Sequence, residues 1–335
     1  MLGSEVEHVT VFEAKPEDSS VGGHAVAIMG GMKIFEFIGL LEELIAVGYP
    51  IEKMTAMNTY GLELFDFLMH DIFRATKNPN LLSSPETGER PLAYFCSRGC
   101  VQKVLARGLA KDTFNKFVPR EIQERTTVDL KYNCPVVHVH EYNTPNGKKV
   151  AIQFENNRVE DDFDIVLGCD GAQSKVKDYI LQEAYAEDPD SDPRKDQLAF
   201  CGIRTSFTST GPDPEFKLRK PRGPRQWYGD GIYAMEATVG GVNGPEHYLG
   251  ISYASKEDAK MGENTKWGQG SNAMREELRK LLVAKGFGAH KEFMNIFDNT
   301  ERLVELGIRA IPRPLKTWHS KSSRVVLIGD SAHKM

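Results

Sequence analysis

"RVVLIGDSAHKM", residues 324–335, is the stretch on which the reading of the fold turns. Arg324 to Ile328 read as a strand, and Val325 to Ile328 are an apolar run rich in β-branched residues. Gly329 and Asp330 then make a turn, and Ser331-Ala332-His333 begins what reads as a helix. The same design occurs earlier, in "DIVLGCDGAQSKVK", residues 164–177. A continuously apolar strand, expected to be central and covered on both faces, delivers Asp170 and Gly171. Ser174 is placed to cap the helix that follows. In open α/β sheets, ligands bind outside the carboxyl ends of the strands, and glycine lets a backbone approach closely there. Taken singly, each turn also has a plain reading. A strand-Asp-Gly turn is common in α/β proteins, and Asp330 can be a helix N-cap.

Outward from these two stretches, "HVTVFEA" (8–14) alternates into a short strand with Glu13 at its end. In a dinucleotide-binding βαβ unit such an acid bonds the ribose hydroxyls, about 20 residues after a glycine fingerprint. Too few residues precede Glu13 for that fingerprint, and alone Glu13 is a surface acid after a strand. "VGGHAVAIMGGMKIFEFIGLLEELIAVG" (21–48) opens on Gly22-Gly23 and becomes amphipathic, with Ile34, Phe37, Ile38, Leu41 and Ile45 at helical spacing. "CSRGCVQKVLARGLA" (96–110) predicts a helix with Val101, Leu105 and Leu109 on one stripe. Arg98 and Gln102, four apart, share a face. "PVVHVHEY" (135–142) and "KVAIQFEN" (149–156) read as a hairpin turning at Asn146-Gly147. Residues 198–255 are aromatic, Thr- and Gly-rich, as expected of an antiparallel sheet. Helices are expected at 271–286 and 291–303.

Other function classes find little support. The net charge of −5 gives no general nucleic-acid surface. No apolar run reaches the roughly 18 residues of a spanning helix. The first residues lack a secretory signal, and five scattered cysteines suit reduced thiols. A cytoplasmic location is therefore expected. His138 and His140 project from one strand face and could pair on a metal, or could be its solvated side; no metal is expected. Gly268-Gln-Gly270-Ser-Asn-Ala273 matches G-x-G-x-x-A but follows no strand. "KLRKPRGPR" (217–225) reads as a solvated loop.

The order of these features resembles the FAD-dependent aromatic hydroxylases, the single-component class A flavoprotein monooxygenases. "DIVLGCDGAQSKVK" is similar to that family's Asp-Gly motif and "RVVLIGDSAH" to its Gly-Asp motif. The resemblance implies an α/β fold: an incomplete Rossmann-like FAD-binding domain (1–185 and 304–335) with a second, mainly antiparallel β-sheet substrate domain (186–303). It implies FAD as cofactor, NADPH or NADH as reductant, and a small aromatic, phenol-like substrate hydroxylated with O2. Glu13 would hold the adenosine ribose. Arg98 and Gln102 would face the pyrophosphate and ribityl part. Asp170 and Gly171 would sit near the FAD, Gly22 and Gly23 would bring backbone near the flavin, and Asp330 would bond the ribityl chain beside Gly329. No catalytic base is assigned. Lys177 stands where the family usually has arginine. The family's first strand, its G-x-G-x-x-G loop and everything beyond His333 have no counterpart, so the chain is expected to be truncated at both ends. The alternatives are a non-catalytic remnant or partner-binding protein, and a flavin-dependent epoxidase or reductase of the same fold. The aromatic run Trp227, Tyr228, Tyr233, Tyr248 and Tyr253 is either substrate wall or ordinary sheet packing.

Overall fold

The computed structural model describes residues 6–17, 25–69, 71–72, 93–110, 127–186, 198–212, 223–241, 243–258, 272–312 and 314–333. Gly22, Gly23, the Gly268–Gly270 segment and most of "KLRKPRGPR" lie outside them. The chain divides into two compact units. One comprises residues 1–7, 20–127 and 202–306; the other comprises 8–19, 128–201 and 307–335. This partition differs from the expected 1–185 with 304–335 against 186–303. The reason is a strand pairing that sequence spacing does not show: Lys53–Asn58 runs parallel to Arg225–Gly229, Thr55 opposite Arg225. The hairpin 53–68 is thereby tied to the antiparallel sheet.

In the first unit a seven-stranded sheet runs in the order Arg302–Ala310, Ala199–Pro212, Glu246–Ala254, Ile232–Val239, Arg225–Gly229, Lys53–Asn58 and Glu63–Leu68. Side chains alternate between its faces. One face is covered by the helices Asn272–Ala284 and Lys291–Asp298, and the core there holds Trp227, Ile251, Leu282, Phe287, Phe293 and Phe297. Helix was expected through residue 303, but the chain turns at Asn299 and residues 302–310 add an edge strand.

The same unit holds a three-stranded sheet of Ala25–Ile28, Tyr94–Ser97 and Tyr49–Pro50. The stretch 21–48, expected to become one amphipathic helix, instead holds a strand, Ala25–Ile28, and two short helices, Met32–Phe37 and Leu41–Val47. Gly39, at φ +73, breaks the helical path between them. The break resets the buried stripe to Phe35, Leu40 and Leu44, and leaves Ile34 and Phe37 exposed.

In the second unit, Val136–Thr144, Gly147–Phe154 and Val159–Phe163 form an antiparallel meander. Its first turn uses Pro145-Asn146, with Gly147 following at φ +115. Val166–Gly168 pairs in parallel with Val325–Leu327, Gly168 opposite Leu327. Helix Lys175–Ala186 packs Val176, Ile180 and Leu181 on Val166, Val325 and Leu327. The expectation that this strand is covered on both faces is corrected. Ile165 and Leu167 are 60% and 57% exposed, because the helix covers only the Val166 and Gly168 side. His8–Phe12 pairs with Thr127–Lys131. The bonds Thr127 N to Glu7 O and Glu13 N to Lys131 O climb both strands together, so this pair is also parallel. Among the described residues no helix is long and apolar enough to cross a membrane.

Candidate functional site

The second unit brings the two Asp and Gly turns together. They leave the carboxyl ends of adjacent parallel strands, the location where open α/β sheets take ligands. Gly171 lies at φ +79 and Gly329 at φ +63, a region costly for residues with a Cβ. No heavy atom lies within 4 Å of a Cβ built at either, so the backbone there faces open space. Gly168 has a different reason to be glycine. A Cβ on it would lie 2.8 Å from Val176 Cβ, so the helix sits directly on the strand.

Each turn is held from several sides. Asp170 Oδ2 accepts the backbone N–H groups of Lys175 (2.7 Å) and Val176 (3.4 Å), the first residues of the helix. Ser174 Oγ accepts from Lys177 N at 2.8 Å, which makes it the N-cap its position in the sequence suggests. Lys177 is buried, and its Nζ donates to Ala172 O at 2.7 Å. A buried ammonium thus ties the turn to the helix, in place of the planar fork an arginine would bring. In the short helix Asp330–His333 that follows the neighbouring strand, the buried Ser331 hydroxyl lies 2.5 Å from Gly168 O and 2.6 Å from Ile328 O. This link between the two turns was missed, since a lone serine after Gly-Asp carries no signal of its partner. Replacing Asp170 with alanine leaves two helix-start amides without their acceptor. The expected cost is about 1–2 kcal/mol, read from denaturant unfolding; no measurable change would deny the cap.

Glu13 ends the strand His8–Phe12 in the same unit, and its Oε1 accepts from Lys15 N at 2.9 Å. Arg98 and Gln102 belong to the other unit, on helix Arg98–Ala110. Both are exposed. The buried stripe of that helix is Cys100, Val104 and Gly108, not the expected Val101, Leu105 and Leu109. A Cβ on Gly108 would lie 2.5 Å from Leu40 Cδ1, and this close crossing sets the stripe. Burial pushes the Cys96 thiol up to about 12, with Cys100 contributing, so it is no nucleophile.

The aromatic set divides by strand alternation. Trp227 and Tyr253 face the helices. Trp227 is 1% exposed, its ring centroid 5.0 Å from that of Phe293, and Tyr253 donates to Glu305. These two are packing. Tyr228 and Tyr233 lie on the opposite face, ring centroids 5.3 Å apart. The pairings Thr205–Ser252, Ser252–Tyr233, Tyr233–Tyr228 and Tyr228–Asn58 form one continuous row across it. Phe207, Met235 and Gln226 line the next row. Tyr248 is on this face too, but is buried with Ala237, Val239 and Phe95. Rings of His138 and His140 stack at 6.0 Å on the exposed side of their strand. Among the described residues no group of three His, Cys, Asp or Glu is placed to hold a metal ion.

No protein-family model matches the chain. An FAD-dependent urate hydroxylase of Mycolicibacterium vanbaalenii is 22% identical over 325 residues, 96% of this chain and 67% of that protein. The FAD-dependent monooxygenase nanF of Aspergillus nanangensis is 24% identical over 238 residues, 69% of this chain and 46% of that protein. The crystal structure of CtdE in complex with FAD and a substrate superposes with a TM-score of 0.66 at 16% identity, covering 97% of this chain and 68% of that one. The chain therefore spans about half to two thirds of the length of these relatives. By sequence it is similar to FAD-dependent hydroxylases and monooxygenases, and it carries their mixed α/β fold.

Proposed function

We propose that this chain is the body of an FAD-dependent monooxygenase that hydroxylates a small aromatic, phenol-like molecule with NADH or NADPH and O2. The observation that carries the reading is the paired turns: two carboxylates and two positive-φ glycines on adjacent parallel strand ends. These residues fit the group. Open space beside Gly171 and Gly329 admits a cofactor against bare backbone, and a carboxylate such as Asp330 suits ribityl hydroxyls as an acceptor. When bound, FAD supplies the redox chemistry and the activation of O2. The protein's own part is to hold and orient. Asp330 and Gly329 would position the ribityl chain, while Asp170, Ser174 and Lys177 keep the adjoining turn in shape. Glu13 would take the adenosine ribose. Arg98 and Gln102, exposed on one helix, are the proposed pyrophosphate and ribityl contacts. Tyr228 and Tyr233, with their row, form the proposed substrate wall.

The test is an FAD titration of the purified chain, followed by quenching of flavin fluorescence. Saturable binding is expected, and Asp330→Ala is expected to weaken it about 10- to 100-fold, the loss of a charge-assisted hydrogen bond. A chain that takes up no flavin would favour the non-catalytic remnant. Substrate-dependent incorporation of oxygen into a ring hydroxyl would separate a hydroxylase from an epoxidase or reductase.

A further inference from the structure

The helix-free face of the seven-stranded sheet carries a chemical bias beyond its aromatic character. Across the row Thr205, Ser252, Tyr233, Tyr228 and Asn58, every side chain is polar but neutral. The next row, with Phe207, Met235 and Gln226, also lacks a charge. Two arginines of the sheet, Arg204 and Arg225, are sent by alternation to the other side. Arg204 is paired there with Glu305, and Arg225 with Glu236 and Glu292. Neither guanidinium is offered to a ligand on the helix-free face.

We propose that this row selects neutral planar substrates bearing a hydroxyl or amide edge, and rejects carboxylates and other anions of the same shape. The inference rests on the reading of this face as the substrate wall. An anion pressed on the wall would lose water and find no cation in the two rows, a penalty of several kcal/mol per buried ion. A neutral hydroxyl loses far less, and finds partners. Thr205 Oγ1 and Ser252 Oγ lie 3.0 Å apart, and the Tyr228 hydroxyl donates to Gln226 Oε1 at 2.5 Å. Each of these groups can accept or donate one further bond. Burial, with Tyr228 beside it, pushes the Tyr233 phenol up to about 12, so the row stays uncharged through the physiological range.

Two probes of one shape decide it, a naphthol and the corresponding naphthoate, titrated into the purified chain by calorimetry near neutral pH. The naphthol is expected to bind more tightly by about tenfold or more. Gln226→Arg places a cation on the wall and is expected to shift the preference toward the naphthoate. Tyr233→Phe is expected to weaken the naphthol several-fold and leave the naphthoate unchanged. A melting curve on each variant identifies any that fails to fold, and the two wild-type titrations stand without them. Equal or tighter binding of the naphthoate, or no saturable binding of the naphthol, overturns the proposal. An FAD titration of the same preparation keeps the readings apart. If the naphthol preference holds without FAD binding, the selectivity stands and the monooxygenase reading falls.

Discussion

Replacing Trp227 with alanine is expected to lower the unfolding free energy by about 3–5 kcal/mol, the usual cost of emptying a large buried aromatic site. The indole is enclosed by Phe293, Phe287 and His290, with the Arg225 guanidinium 5.2 Å from its ring centroid. These groups sit on a rigid sheet and two packed helices, so collapse into the void is limited. Trp227→Phe is the informative control. The indole N–H makes no hydrogen bond among the described residues, so phenylalanine loses volume but strands no acceptor. Its expected cost is about 1–2 kcal/mol. Urea unfolding of the three proteins measures both values. If Trp227→Ala folds as stably as the parent, the residue is not core, and its place in a substrate wall has to be reconsidered.

The second large effect is expected at Glu305. Its side chain is 3% exposed and takes an ion pair from Arg204. It also accepts from the Ser206 hydroxyl at 3.2 Å and the Tyr253 hydroxyl at 2.5 Å. Glu305→Ala leaves the Arg204 guanidinium without its counter-charge and two hydroxyls without their acceptor. Breaking a buried pair from one side costs about 3–5 kcal/mol. The double variant Glu305→Ala with Arg204→Met is expected to recover part of that loss, because the stranded charge goes with it. Thermal melts of the single and double variants distinguish the two. Equal destabilisation in both would mean the carboxylate acts by packing alone.

Much of the second unit was legible in the sequence because its signals are local. A β-branched run followed by Gly-Asp or Asp-Gly announces a strand and its ligand-facing turn within a dozen residues, and Ser174 reveals its cap by position. The first unit was harder, for two physical reasons. Its defining pairing, Lys53–Asn58 beside Arg225–Gly229, joins distant segments and leaves no periodic trace. Its first two helices, Met32–Phe37 and Leu41–Val47, are short and parted at Gly39, so a stripe extrapolated through the break pointed to Ile34 and Phe37, which are exposed. The aromatic run showed another limit. Composition placed five rings in one sheet, but the faces followed only once the register was known. Trp227 and Tyr253 then fell to the helix side, and Tyr228 and Tyr233 to the other.

The way the chain threads its two units bears on how it is made. Neither unit is one continuous segment, and the backbone crosses from one to the other at residues 7/8, 19/20, 127/128, 201/202 and 306/307. During synthesis, Lys53–Asn58 can pair early with Glu63–Leu68 but lacks its other neighbour until Arg225 has left the ribosome, and among the described residues Val166 has no strand partner until Val325 has. Until residues 225 and 325 emerge, the nascent chain carries these strand edges unpaired. Slower elongation would lengthen that exposure rather than help either unit close first.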